Sequence, residues 1–240
     1  MTGFMIPESD VVYYHNDESS SPTLVRVFRP FVRGDVLEVG AGVGFVTREL
    51  SRYADAVLAC EPTAALFEQL KNRVGALSNV EALQKTTHEL LVESQNRRFD
   101  TIVYFSVLEH IEDDQGEIAR ASQLLRAGGH LLILVPAHQW LYAKIDRLSG
   151  HHRRYSVSSL RNLFRERFES VDIKHFDTVG LVPYFLIFRL MRSTSVSGVS
   201  ASIYSKIVVR LSYLLYVLTR GRLIGKNLVV TARKSGRATI

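Results

Sequence analysis

DVLEVGAGVGFVTREL, Asp35 to Leu50, is the stretch on which the fold turns. Asp35-Val36-Leu37-Glu38-Val39 reads as a buried strand, Gly40-Ala41-Gly42-Val43-Gly44 as a tight loop, and the residues that follow keep helical spacing. Glycine lets the backbone turn sharply and lets a ligand lie close to it. A helix that starts there offers N–H groups with no partner of their own. The spacing is GxGxG rather than GxGxxG, and the Lys-Ser/Thr of a P-loop is missing, which argues against a nucleoside triphosphate. Taken alone, the loop also fits a plain tight turn.

Working outward, short apolar runs alternate with helical patterns. Strands are expected at Val57 to Cys60, Val80 to Leu83, Asp100 to Phe105 and His130 to Val135, with helices at Ala64 to Arg73 and Glu117 to Leu125. Gly128-Gly129 is expected to stop the second of those helices. Nearly continuous apolar strands that alternate with helices indicate a parallel sheet covered on both faces. A helix over Ser158 to Phe168, with Ser156 as its cap, precedes strands at Val171 to Thr178 and Lys226 to Ala232, which we read as antiparallel neighbours at one sheet edge. The expected organisation is one domain over 1–240: an N-terminal cap at 1–34, a cofactor-binding core at 35–180, a helical insertion at 181–225 and a last strand at 226–233.

Charge divides the chain. Residues 1–143 hold 12 Lys/Arg and 19 Asp/Glu, a net of −7, whereas residues 144–240 hold 18 and 5, a net of +13. The basic part would attract an anionic partner. The single cysteine, Cys60, excludes an internal disulfide and a cysteine metal cluster. The opening MTGFMIPESD has neither the basic start nor the apolar run of a signal peptide, so a cytoplasmic location is expected, with contact at the inner face of a membrane as a variant.

Glu61 ends the second strand, 21 residues after Gly40. A carboxylate there can accept both hydroxyls of a ribose, in dinucleotide and adenosyl cofactors alike. Glu38, beside the glycine turn, would repel a pyrophosphate but suits a cofactor that ends in an ammonium. This weighs against an NAD-type oxidoreductase, which stays as an alternative beside a non-catalytic cofactor-binding scaffold.

With ACEP at the second strand, FDTIVYFSVLEHIEDD at the fourth and LLRAGGHLLILVP at the fifth, the chain resembles a class I S-adenosylmethionine-dependent methyltransferase over about residues 35–140. More narrowly, it resembles the small-molecule branch that includes ubiquinone-biosynthesis enzymes. The resemblance implies an α/β fold, a doubly wound, seven-stranded, mostly parallel sheet of order 3-2-1-4-5-7-6, and S-adenosyl-L-methionine as cofactor. It implies that Glu38, Gly40, Ala41, Gly42 and Gly44 surround the methionine part and that Glu61 takes the ribose. Pro62 would lie near the adenine, and Phe105 and Ser106 would touch the cofactor after the fourth strand. In one departure, Thr86 stands where many relatives place an Asp that bonds the adenine amine. Tyr13, Tyr14 and His15 precede the core, either as a lid in which Tyr14 touches substrate or as a plain N-terminal element.

DRLSGHHRRY, Asp146 to Tyr155, resembles a motif of a subset of these enzymes: Asp, then Gly-His, then Arg-Arg-Tyr. Two readings stand. In one, His151 is a general base or substrate contact, with Arg153, Arg154 and Tyr155 binding an acceptor of small-molecule or lipid-linked kind, anionic if the arginines hold it. In the other, Asp146 pairs with Arg153 or Arg154 and Tyr155 packs, fixing a lid. His110 and His138 are the other candidate bases. No metal is expected, because adjacent His151 and His152 diverge and no third ligand is near in sequence. No nucleic acid is expected either, for want of a binding module. In the insertion, Ile203, Ile207, Leu211, Leu214 and Leu218 recur at helical steps. That stripe either folds over the sheet as a lid, forms a dimer face, or docks on an anionic membrane. The expected reaction is methyl transfer, with oxygen favoured over nitrogen or carbon, by a monomer or homodimer.

Overall fold

The structure is a computed structural model that describes residues 18–93, 97–194 and 203–236. Seven strands form one sheet: β1 (Asp35–Val39), β2 (Ala56–Cys60), β3 (Val80–Leu83), β4 (Phe99–Phe105), β5 (Leu125–Pro136), β6 (Phe168–Phe176) and β7 (Asn227–Lys234). Their order is β3-β2-β1-β4-β5-β7-β6. The first five run parallel, and β7 pairs antiparallel with both β5 and β6. This is the expected order.

Helices cover both faces. Leu37, Ile102, Tyr104, Leu131 and Ile133 point to one side, against α5 (Asp114–Leu124) and α7 (Val157–Phe164). Val36, Val103, Leu132 and Leu134 point to the other, against α1 (Ser21–Phe28) and α2 (Phe45–Leu50). The alternation follows from strand geometry, in which successive side chains face opposite ways. Ser156 caps α7, its hydroxyl accepting from Ser159 N–H at 3.0 Å. Leu160, Leu163 and Phe164 are buried, at about 1.5–3 kcal/mol for each such side chain removed from water.

Two boundaries differ from expectation. Gly128 and Gly129 lie inside β5, which begins at Leu125, because Gly128 with a φ of 74° lets the chain turn back toward β4. Helix α7 ends at Phe164, and Phe168 opens β6. The insertion is helical on both sides of its undescribed centre: α8 (Thr178–Tyr184) continues to Leu190, and residues 203–208 lead into α9 (Val209–Thr219). No helix among the described residues is long and apolar enough to cross a membrane.

Candidate active site

A cavity of about 620 Å³ opens at the carboxyl ends of the parallel strands. That edge is where α/β sheets place ligands, at the point where strand order reverses. One end of the cavity is made by backbone. Gly40, Gly42 and Gly44 all have positive φ, but what a side chain would meet differs among them. A Cβ on Gly40 would stand 2.6 Å from Val107 Cγ2, and one on Gly44 would stand 2.7 Å from Leu70 Cδ1. At Gly42 a Cβ would meet nothing within 4 Å, because it would project into the open cavity that Gly42 lines. Glu61 ties this loop to β2. Its Oε2 accepts from Gly42 N–H and its Oε1 from Thr63 N–H, both at 2.9 Å. Each oxygen retains a lone pair, and the residue lines the cavity.

Glu38 does not form the cavity wall. It sits buried behind the glycine turn, with Oε2 lacking a hydrogen-bond partner among the described residues. Burial pushes its carboxyl up to about 8, with Thr47 opposing and the Glu61 carboxylate adding. Ala41 and Gly44 also lie off the wall, packed among β2 and α3 (Ala64–Val74). Gly40, Gly42, Glu61, Pro62, Thr86, Phe105 and Ser106 do line the cavity. Thr86 caps α4 (Thr87–Glu93): its hydroxyl donates to Glu89 Oε2 at 2.8 Å and accepts from Glu89 N–H at 3.2 Å. Tyr14 and its neighbours fall outside the described residues.

Side chains make the other end. Asp146, in α6 (Lys144–Leu148), is buried and accepts four kinds of donor. His151 Nδ1 and Arg154 Nε reach Oδ1 at 2.9 and 2.8 Å. Ala143 N–H and the Tyr184 hydroxyl reach Oδ2 at 2.8 and 2.9 Å. Burial alone would raise the Asp146 carboxyl, but these bonds and the Arg154 charge outweigh it and hold the group well below the usual carboxylate range. Because an ionised Asp146 can only accept, His151 Nδ1 carries the proton toward it, so in the neutral ring the lone pair lies on Nε2. His110 stands beside it, ring centroids 4.7 Å apart, and burial pushes its pKa down to about 3, so it is neutral.

The two arginines point opposite ways, as neighbours on an extended chain do. Arg154 bonds Asp146, Ala137 O and the Tyr184 hydroxyl. Arg153 turns away from the cavity to Asp114 at 2.7 Å and to Glu112 O at 2.7 Å. Tyr155 is buried and donates to Leu108 O and Asp114. Arg153 and Tyr155 therefore do not line the cavity, and Arg154 is already committed, so an anion held between these arginines has no support in the geometry. His138 is elsewhere too. A φ of 64° turns it onto His175, 5.4 Å between ring centroids, where Nε2 donates to Gly225 O at 3.1 Å.

Several contributors escaped the sequence. Tyr184 and Phe188 come from α8 and its extension, and Lys226 from the residue before β7. Lys226 is buried, pairs with Asp177 at 3.4 Å and lies over the Tyr184 and Tyr204 rings. Glu109 is fully buried, neither oxygen has a hydrogen-bond partner among the described residues, and burial lifts its carboxyl to about 7. Glu109, His110 and His151 bring ligand-type atoms within 4.8 Å of one another, a set that could hold a cation. No third ligand is near His151 in sequence; the fold brings Glu109 and His110 to it from about 40 residues earlier.

The model of the family described as "Methyltransferase domain" matches residues 15–167. A ubiquinone biosynthesis O-methyltransferase of Alkalilimnicola ehrlichii is 25% identical over 97 residues, 40% of this chain and 39% of that protein. A demethylmenaquinone methyltransferase of Tropheryma whipplei is 28% identical over 104 residues, 43% of this chain and 42% of that protein. The chain thus matches about two fifths of the length of these curated relatives. Among solved structures, a SAM-dependent methyltransferase from Archaeoglobus fulgidus superposes with a TM-score of 0.59 at 11% identity, over 91% of this chain and 95% of that one. A Haemonchus contortus phosphoethanolamine N-methyltransferase, in complex with phosphomonomethylethanolamine and S-adenosylhomocysteine, gives 0.59 at 14% identity, over 90% and 52%. These two likenesses bear on the fold alone.

Proposed function

The chain belongs to the methyltransferase domain family, and from that premise we propose that it moves a methyl group from S-adenosylmethionine to a hydroxyl of a small-molecule or lipid-linked acceptor, with His151 as the proton acceptor. The carrying observation is that one cavity joins the glycine turn and Glu61 at one end to the Asp146–His151 pair at the other.

The residues fit the cofactor. The space above Gly42 is open where any side chain would fill it, and Glu61 has acceptor capacity left for ribose hydroxyls. Thr86 suits an adenine amine less well than a carboxylate would, since its hydroxyl has a single lone pair left after its two bonds with Glu89. Bound there, the cofactor supplies a methyl group made electrophilic by its sulfonium. The chain supplies the rest. Asp146 fixes the His151 tautomer and ring. His151 Nε2 takes the acceptor's proton as its oxygen is alkylated, and the neutral His110 ring beside it adds no competing charge. Ile145, Ile111 and Phe188 line the cavity with apolar surface that excludes water. A role for Tyr14 as a lid contact remains part of this reading.

His151→Gln tests it. The expected result is S-adenosylhomocysteine binding unchanged by calorimetry, with kcat on a hydroxyl acceptor down about 10²–10⁴-fold. Retention of kcat in that variant, or failure of the unaltered protein to bind S-adenosylhomocysteine, defeats the proposal.

A further inference from the structure

We propose that the outer surface of the insertion, residues 182–194 and 203–224, docks this protein onto an anionic lipid bilayer. In the helix over 203–219, Ser205, Val209 and Ser212 face the protein, with Ser212 donating to Asp177 at 2.7 Å. The stripe Ile203, Ile207, Leu211, Leu214 and Leu218 faces outward, each residue 48–69% exposed. The helix has its apolar side on the wrong face for a chain dissolved in water alone. The adjoining helix, which packs against it, repeats the arrangement: Val182, Phe185, Leu186, Leu190 and Met191 are exposed. Leu223 and Ile224, just past the C-terminal end of the helix over 203–219, are exposed as well.

Charge selects the occupant. Residues 181–226 hold seven Lys/Arg and no Asp/Glu. Lys206 and Arg210 are exposed one turn apart along the edge of the outward stripe, and Arg189, Arg192, Arg220 and Arg222 of the same insertion are exposed too. A second copy of the chain would set like charges against each other, whereas anionic headgroups neutralise them while the apolar stripe enters the acyl boundary. Trp140, the chain's single tryptophan, is 51% exposed and meets the Phe185 ring edge-on, with centroids 6.0 Å apart. Arg189 Nε donates to Trp140 O at 3.1 Å. An amphipathic ring at the rim of an apolar patch suits the headgroup level of a membrane. With no spanning helix among the described residues, the element would lie on the bilayer.

The surface also bears on the reaction. Tyr184 and Phe188 line the cavity from the helix whose opposite face carries Phe185, Leu186 and Arg189. Resting on the proposed transfer to a lipid-linked acceptor, docking would bring the cavity to the plane in which such a molecule resides.

Because Trp140 is single, its emission reports docking directly. The full chain is mixed with vesicles of phosphatidylcholine alone, or of phosphatidylcholine with phosphatidylglycerol, and followed by Trp140 emission and flotation. The expected result is a blue shift and co-flotation with the anionic vesicles only, weakened about tenfold or more by high salt or by Lys206→Glu with Arg210→Glu. Leu214→Asp with Leu218→Asp should abolish both signals while the thermal midpoint and S-adenosylhomocysteine affinity hold. No shift and no flotation with anionic vesicles overturns the proposal. So does a dimer in solution that Leu214→Asp with Leu218→Asp splits, since the stripe would then be a contact between copies. Loss of S-adenosylhomocysteine binding would strike the methyl-transfer reading and leave docking to be judged by the vesicles.

Discussion

The two ends of the cavity are built from different materials. At the glycine end, backbone N–H groups and positive-φ glycines form the wall, and one carboxylate, Glu61, braces them. At the histidine end, the wall is a knot of buried side chains centred on Asp146, with His151, Arg154 and Tyr184 all bonded to it. A backbone wall is fixed by local geometry and tolerates change around it. A side-chain knot is fixed by mutual neutralisation, so removing one member strands the others.

The sharpest way to break the contrast is Asp146→Ala. It leaves the Arg154 guanidinium buried without its counter-ion, and the expected loss is about 3–5 kcal/mol of unfolding free energy, measured in urea. Glu61→Gln, at the other end, should leave the fold nearly intact but weaken S-adenosylhomocysteine binding by about 2–3 kcal/mol in calorimetry, as a charged acceptor is lost. Gly42→Ala should cost about 1–2 kcal/mol of stability from its backbone φ alone, with a further drop in cofactor affinity as the methyl enters the cavity. The last effect is a slope with pH rather than a single step. Burial raises the Glu38 pKa to about 8 in the folded chain, from the ordinary 4.5. Its contribution to stability is therefore full below about pH 4.5 and is lost as pH rises through about 8, at up to about 1.4 kcal/mol per pH unit. Glu38→Gln should flatten that decline in urea titrations at stepped pH. If it does not, Glu38 is ionised within the fold and the two ends are more alike than the geometry indicates.

The glycine end was legible because its signals are local: an apolar run, glycines at fixed spacing, and an acid at the end of the next strand. The histidine end was half legible. DRLSGHHRRY marked Asp146 and His151, yet which arginine joins them depends on the extended backbone between Gly150 and Tyr155, which turns Arg153 and Arg154 apart. His138 looked well placed just past β5, but its positive φ carries it to His175 instead. Tyr184, Lys226 and Glu109 had no sequence signal, since each reaches the site through tertiary packing. The stripe in α9 was visible as a period, but a period does not say which face of a helix the protein keeps. Buried Ser212 reverses the usual rule because its hydroxyl donates to Asp177, at the head of α8.

The placement of β7 has a consequence for how the molecule comes into being. Although last in sequence among the strands, it lies between β5 and β6, and it is the only described strand to which β6 is paired. On a ribosome, β1 to β5 can assemble as soon as they emerge, but β6 must wait, unpaired, until about 50 further residues have been made. Lys226, directly before β7, arrives in the same step. The glycine end of the cavity is thus complete early in synthesis, and the histidine end is finished only when the sheet is.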